Sequence, residues 1–253
     1  MNSFLRPVPV ERPAMRLFAF HHAGGSSTVY HPMRRQLPAD WELMAYDLPG
    51  RGRLASQRPL EDIQLVLPRV LADIEPWLDA PVAFFGHSFG AIVASELARL
   101  LEGQGRPPLW VGVSGRVPPG YRSRRRLSEL DDDGLLNAVQ AMGGLPEQLT
   151  SVPEFLARFL QLTRADMRAV ESYRPEAGRP PLSCPLTVFC GTDDGWAPPA
   201  AMAGWSAVTS RRLRRRVYPG GHFYFTGQAM PRFTRELVAE IRAAATAAEP
   251  AGR

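Results

Sequence analysis

No lysine occurs anywhere in the chain, so all 30 basic side chains among its 253 residues are arginine. That bias follows the base composition of a gene and carries little functional information. Cysteine is nearly as scarce, with only Cys184 and Cys190 present. Both fall in a segment that reads as one strand, where the extended chain between them covers roughly 20 Å. A disulfide needs its Cα atoms within about 7 Å, so the two do not bridge each other. No CxxC or HxxxH spacing accompanies them, which excludes a cysteine-based zinc site and leaves two core fillers. Long apolar runs are missing too. Nothing approaches the roughly 18 consecutive apolar residues of a membrane span, and the opening MNSFLRPVPVERPAM lacks the apolar stretch of a secretory leader. The expectation is a cytoplasmic globular protein with no membrane association.

What is present is ordinary for such a protein. Hydrophobic residues make up 45% and charged residues 22%, enough for a sizeable core in one large domain or two small ones. The net charge of +5 is unevenly placed. Arg122, Arg124, Arg125 and Arg126 form one cluster, and Arg211, Arg212, Arg214, Arg215 and Arg216 another. Each is either a solvated face or a docking surface for an acidic partner. Nucleic acid is a poor candidate, because neither aromatic interleaving nor a DNA-binding pattern accompanies the charge.

Apolar strand-forming runs alternate with helical patterns through the first half: MRLFAF (15–20), a helix at 29–37, WELMAYD (41–47), a helix at 61–78, VAFFG (82–86), a helix at 89–102 and LWVGVSG (109–115). Near-continuously apolar strands separated by helices predict a parallel sheet covered on both faces, hence an α/β fold. Residues 116–180 break the rhythm with helical patterns at 127–142 and 153–172. Strands resume at PLTVFC (185–190) and RRRVYP (214–219), and a helix at 228–247 precedes a frayed tail, TAAEPAGR. The economical reading is a core of residues 1–115 and 181–253 with a helical lid inserted at 116–180, over the carboxyl ends of the strands where ligands bind in open sheets.

The strongest chemical signal is Gly86-His87-Ser88-Phe89-Gly90, a G-x-S-x-G between an apolar strand and a helix. A sharp strand-to-helix reversal strains the serine backbone and leaves no room for flanking side chains, which is what glycine at both flanks provides. A serine hydroxyl needs a base. Of the five histidines (His21, His22, His31, His87, His222), only His222 lies well after the serine, just past the last strand, in Gly220-Gly221-His222-Phe223. His87 reads as a packing residue. The acid belongs after the preceding strand, where Asp193 and Asp194 compete in Cys190-Gly191-Thr192-Asp193-Asp194-Gly195. Asp194 is favoured, with the other as a turn residue bonding its own backbone. Asp131, Asp132 and Asp133 read as a solvated run. The loop His22-Ala23-Gly24-Gly25 follows the first apolar strand, so the Ala23 N–H, with that of Phe89, could bind a developing oxyanion. His21 and His22 then sit around this loop without moving protons. These residues imply acyl transfer by an activated serine. They do not distinguish ester, amide, thioester and lactone.

At several stations the chain resembles the type II thioesterases that accompany polyketide synthases and nonribosomal peptide synthetases, which have the α/β-hydrolase fold. HHAGGSS resembles their oxyanion loop, AYDLPGRGRL the loop after their second strand, GHSFG their nucleophile elbow, VSGRVPP their entry to the lid, and PGGHFYF their histidine segment. The resemblance spans nearly the whole chain. It implies Ser88, Asp194 and His222 as triad, and Ala23 and Phe89 as oxyanion donors. The acid loop GTDDGWAP departs from the family in pairing aspartates and lacking the proline that often follows the acid. The implied substrate is an acyl group on the phosphopantetheine arm of a carrier protein, hydrolysed without a metal or dissociable cofactor; a monomer is the expectation, although the sequence does not write the oligomeric state. Carrier proteins tend to be acidic, which makes Arg122–Arg126 a candidate docking edge. The lid stripe Leu135, Leu136, Val139, Met142, Phe155, Leu156, Phe159 and Leu160 either lines an acyl chamber or simply packs its helices. A carboxylesterase or lipase acting on oxygen esters would use the same triad. An acyltransferase would use the elbow with a serine–histidine pair, and a non-catalytic binding module on this scaffold is the third alternative.

Overall fold

Every apolar run read as a strand joins one seven-stranded sheet in the computed structural model, which describes residues 3–121, 126–145 and 151–248. The strands are β1 (Phe4–Leu5), β2 (Met15–Phe20), β3 (Trp41–Tyr46), β4 (Val82–His87), β5 (Trp110–Ser114), β6 (Leu186–Gly191) and β7 (Arg214–Tyr218), in spatial order β1-β3-β2-β4-β5-β6-β7. All neighbouring pairs are parallel except β1 with β3. The central strands are buried along their whole length, as expected when helices cover both faces. Period-two alternation sorts their side chains. Phe18, Phe20 and Phe84 enter one core with α1 (Ile63–Ile74) and α2 (Phe89–Gly103). Leu17, Ala19 and Phe85 enter the other, with the 3-10 segment Ser27–Arg35 and the C-terminal helix Met230–Ala248. Each fully buried phenylalanine contributes on the order of 2 kcal/mol, and edge-to-face ring contacts lace both cores.

Between β5 and β6 the described residues hold no strand. They form α3 (Asp132–Ala141) and α4 (Pro153–Ser172), with a small core of their own built from Leu127, Leu135, Val139, Leu145, Phe159 and Leu160. The C-terminal helix Met230–Ala248 is α5.

Several expectations need correction. The helix expected at 29–37 is a 3-10 segment beginning two residues earlier, with Pro32 inside it removing a backbone donor. The 61–78 pattern divides into α1 and a 3-10 turn, Glu75–Trp77, with Pro76 inside it. Residues 246–248 of the tail expected to fray are helical. Cys184 precedes β6 instead of lying within it, although both cysteines are free and buried as expected. The arginines of β7 are not a uniform solvated face. Arg214 and Arg216 both grip Glu240 of α5, whose side chain is fully buried. Arg122, Arg124 and Arg125 lie outside the described residues, and Arg126 forms an exposed pair with Glu129.

Candidate active site

The carboxyl ends of β2, β4, β6 and β7 deliver the four loops singled out above. β4 turns into α2 at Ser88, whose φ of 54° and ψ of −110° make it the only non-glycine residue at positive φ among the described residues. Such a conformation costs about 1–3 kcal/mol and persists because its surroundings enforce it. A Cβ on Gly86 would lie 1.9 Å from the Gly90 carbonyl oxygen, and one on Gly90 would lie 1.9 Å from that of Phe20. Both glycines are therefore steric requirements of the turn. The Ser88 N–H donates to the Ser114 carbonyl at 2.8 Å, tying the elbow to β5.

The histidine and acid loops are braced against each other. A Cβ on Gly191 would come within 2.3 Å of the Gly220 and Gly221 carbonyl oxygens, so glycine there lets the loop after β7 lie across the end of β6. The Asp193 N–H donates to the Gly220 carbonyl at 2.9 Å, and its carboxylate accepts from the Thr192 hydroxyl at the surface. Asp194 instead turns inward. Its Oδ2 meets His222 Nδ1 at 2.8 Å, and its Oδ1 accepts the Trp196 and Ala197 N–H groups at 2.9 and 3.1 Å. Of the paired aspartates, Asp194 is the one in contact with His222, and Asp193 lies on the turn. Burial alone would raise the Asp194 carboxyl. The hydrogen bond and charge of His222, with the two backbone donors, outweigh it and hold the group below the ordinary carboxylate range. With Nδ1–H bonded to Asp194, the other ring nitrogen of His222 is free to accept a proton.

Ser88 and His222 line one cleft of about 300 Å³, part of it open to solvent, with His22, Ala23, Val139, Met142, Gly144, Met167 and Phe223. The helical stripe divides accordingly. Val139 and Met142 reach the cleft, Leu135, Phe159 and Leu160 pack within the insertion, and Phe155 is exposed. His87 packs as expected, its ring 4.7 Å from that of His222 and its Nδ1 on the Ser114 hydroxyl, which in turn meets the Tyr224 hydroxyl. Burial, then the neighbouring His222 and His22, push His87 well below the usual imidazole range. Burial also lowers His21 and His22 to about 3, so all three stay neutral at physiological pH.

Among the described residues neither the Ala23 N–H nor the Phe89 N–H has a hydrogen-bond partner. The Phe89 group opens α2, where first-turn donors find no intrahelical acceptor. Two residues that the sequence reading passed over hold the neighbouring backbone: Asp166 of α4 and Arg51 of the loop after β3. Asp166 follows Phe159 and Thr163 on one helical face, and a lone carboxylate on an apolar face is the signal that could have marked it. Among the described residues no group of three or more histidine, cysteine, aspartate and glutamate side chains could hold a metal ion.

A parallel sheet carrying a strained serine elbow, with a histidine–aspartate pair on the loops of the last two strands, is an α/β-hydrolase. The family model described as a thioesterase domain matches residues 15–242, and the chain belongs to that family. It is 36% identical over 224 residues to thioesterase PikA5 of Streptomyces venezuelae, covering 87% of this chain and 79% of that protein. The fold superimposes on BorB, the type II thioesterase of the borrelidin biosynthetic cluster, with a TM-score of 0.86 at 32% identity, covering 94% and 97% of the two chains. RedJ, a thioesterase of the prodiginine pathway of Streptomyces coelicolor, gives a TM-score of 0.84 at 32% identity, with 92% and 97% covered. No described helix is long and apolar enough to cross a membrane.

Proposed function

We propose that this protein is an editing thioesterase that hydrolyses acyl thioesters from the phosphopantetheine arm of carrier proteins in polyketide or nonribosomal peptide assembly. The observation that carries the reading is His222, held by Asp194, lining one cleft with Ser88 in a chain of the thioesterase family. His222 takes the Ser88 proton as Oγ attacks the thioester carbonyl carbon. Asp194 holds the imidazole in the right tautomer and stabilises its cation without itself being protonated. The free N–H groups of Ala23 and Phe89 receive the developing oxyanion, each worth about 3–4 kcal/mol in the transition state. Collapse breaks the carbon–sulfur bond, and the imidazolium returns its proton to the departing thiol. Water then attacks the acyl-serine, losing a proton to His222, and releases the free acid with Ser88 restored. The chemistry calls for no metal or dissociable cofactor. The inserted helices act as a lid, and Val139, Met142 and Met167 form its apolar underside beside the acyl group.

The test uses a carrier protein charged with acetyl or propionyl, followed by loss of the acyl mass, beside the matching oxygen ester. Rapid release from the carrier that disappears in Ser88→Ala, with slow ester cleavage, is the expected result. Fast ester cleavage with an untouched carrier would leave a general esterase on the same residues.

A further inference from the structure

The oxyanion loop is gripped from outside the sheet by a buried ion pair. Arg51 meets Asp166 in a bidentate contact, Nη1 to Oδ2 at 2.6 Å and Nη2 to Oδ1 at 2.7 Å, with both side chains almost fully buried. The same Asp166 Oδ2 accepts the Gly24 N–H at 2.7 Å, and the same Arg51 Nη1 donates to the Gly25 carbonyl at 3.1 Å. One peptide donor and one peptide acceptor of the loop are thus held by opposite ends of a single pair. Gly24 has φ +74°, and a Cβ there would lie 2.2 Å from the Thr163 hydroxyl and 3.1 Å from the Phe159 ring. Helix α4 therefore rests directly on the loop backbone. The Ala23 N–H, without a partner among the described residues, belongs to the residue just before the one that Asp166 holds.

We infer that Asp166 and Arg51 are positioning residues, through which the inserted helix α4 sets the direction of the Ala23 N–H toward the oxyanion. Asp166 fixes the Ala23–Gly24 peptide through its N–H and Arg51 holds the Gly25 carbonyl, and between them the Gly25 N–H donates at 3.0 Å to the His22 carbonyl, which shares its peptide plane with the Ala23 N–H. Arg51 has a second task. A lone carboxylate this close to a developing oxyanion would oppose its charge, and the guanidinium cancels that field. A pair of opposite charges delivers rigid hydrogen bonding with almost no net charge. The far end of the loop is fixed separately, by Ser27 on Asp47, so the ion pair governs the stretch next to the reacting carbon. The inference rests on the serine-hydrolase reading above.

The test compares wild type, Asp166→Ala, Asp166→Asn and the double variant Arg51→Met/Asp166→Leu on a small acyl-pantetheine thioester. Alongside kcat and KM it measures two inhibitors of the same chain length, a trifluoromethyl ketone that captures a serine as an oxyanion and a plain methyl ketone that does not. Loss of loop direction lowers kcat by up to about a hundredfold in Asp166→Ala. KM should change by less than about threefold, trifluoromethyl ketone affinity should fall with kcat, and methyl ketone affinity should hold. Asp166→Asn keeps an acceptor for Gly24 and should recover part of the loss. Should Asp166→Ala fail to fold, the same inhibitor ratio is read on the other two variants. Equal loss of both ketones, or wild-type kcat in folded variants, overturns the inference. Ser88→Ala separates the two ideas. If it keeps full hydrolysis, the serine-hydrolase reading itself is wrong. If it is inert while the Asp166 variants keep the wild-type ketone ratio, only the positioning role is.

Discussion

The floor and the roof of the cleft are held by different forces. In the floor, Ser88, Asp194 and His222 ride on loops at the carboxyl ends of parallel strands, fixed by backbone hydrogen bonds and by glycines whose Cβ atoms would strike other backbones. In the roof, α4 is attached by side chains over long sequence separations: Asp166 to Arg51, Arg158 to the Gly50 carbonyl, Glu171 to Ser128, and Tyr173 with Arg179 to Glu96 of α2. Apart from the glycines, the backbone hydrogen bonds of the floor cannot be removed by one ordinary substitution, whereas each roof anchor can. The serine, histidine and acid loops are thus built where the fold is least adjustable, while the oxyanion loop and access to the cleft depend on side chains that single substitutions can change.

The sharpest way to test that division is inside the floor. Asp194→Asn should lower kcat about 10⁴-fold, as loss of the orienting carboxylate does in serine hydrolases, while Asp193→Asn stays within about twofold. Steady-state hydrolysis of a small thioester measures both. Comparable losses would mean that the acid role is shared between the neighbours.

Acid should weaken the floor before the roof. His21, His22 and His87 are buried neutral with depressed values, His21 and His22 at about 3 against an ordinary 6.5. The unfolded chain binds protons on these groups below pH 6.5 while the folded chain does not, so stability is complete above that value and falls as pH drops through it. Each imidazole costs roughly 1 kcal/mol per pH unit. Asp194 is also held below its ordinary value of 3.8, so its contribution is lost only at pH values well below this window. Urea unfolding at pH 7.5 and 5.5 should differ by on the order of 2–4 kcal/mol. Equal midpoints would mean that these rings are hydrated.

In the roof, Glu96→Gln should cost about 2 kcal/mol of stability, because it leaves the partly buried Arg179 without its charge partner. The thermal midpoint should drop by several degrees while kcat on a small thioester changes less than about twofold. A tenfold fall in kcat would join this anchor to the floor's machinery and weaken the contrast.

What could be read in advance follows the same line. The apolar runs Leu17–Phe20 and Val82–Phe85 announced their strands because burial on both faces leaves no polar positions. The elbow was legible because its glycines are demanded by local sterics. His222 was legible by chain order. β1 was not, since the two residues Phe4–Leu5 carry no periodicity and become a strand only by pairing with Tyr46 and Ala45. The helical turn Pro199–Met202 is too short for a pattern. Asp194 could be favoured over Asp193 but not settled, because only the loop after β7 turns one of them inward. Asp166 and Arg51 lie 115 positions apart, and nothing local to either reports a partner that tertiary packing supplies.

The smallest expected effect concerns the outer edge of the roof. Arg126 forms only an exposed pair with Glu129, each about 62% accessible, which contributes little to stability and leaves its charge available to a partner. With Arg122, Arg124 and Arg125 it makes a basic run in the sequence at the start of the insertion, and we propose that this charge attracts an acidic carrier. Replacing all four by serine should raise KM for carrier-bound acetyl about three- to tenfold, more at low ionic strength than at high. Turnover of the free acyl-pantetheine, which has no acidic surface to steer, should be unchanged. The salt dependence is the deciding readout. A docking role predicts that the wild type loses its advantage as salt rises and that the two proteins converge. Equal losses on both substrates at every ionic strength would instead place these arginines among the supports of the insertion.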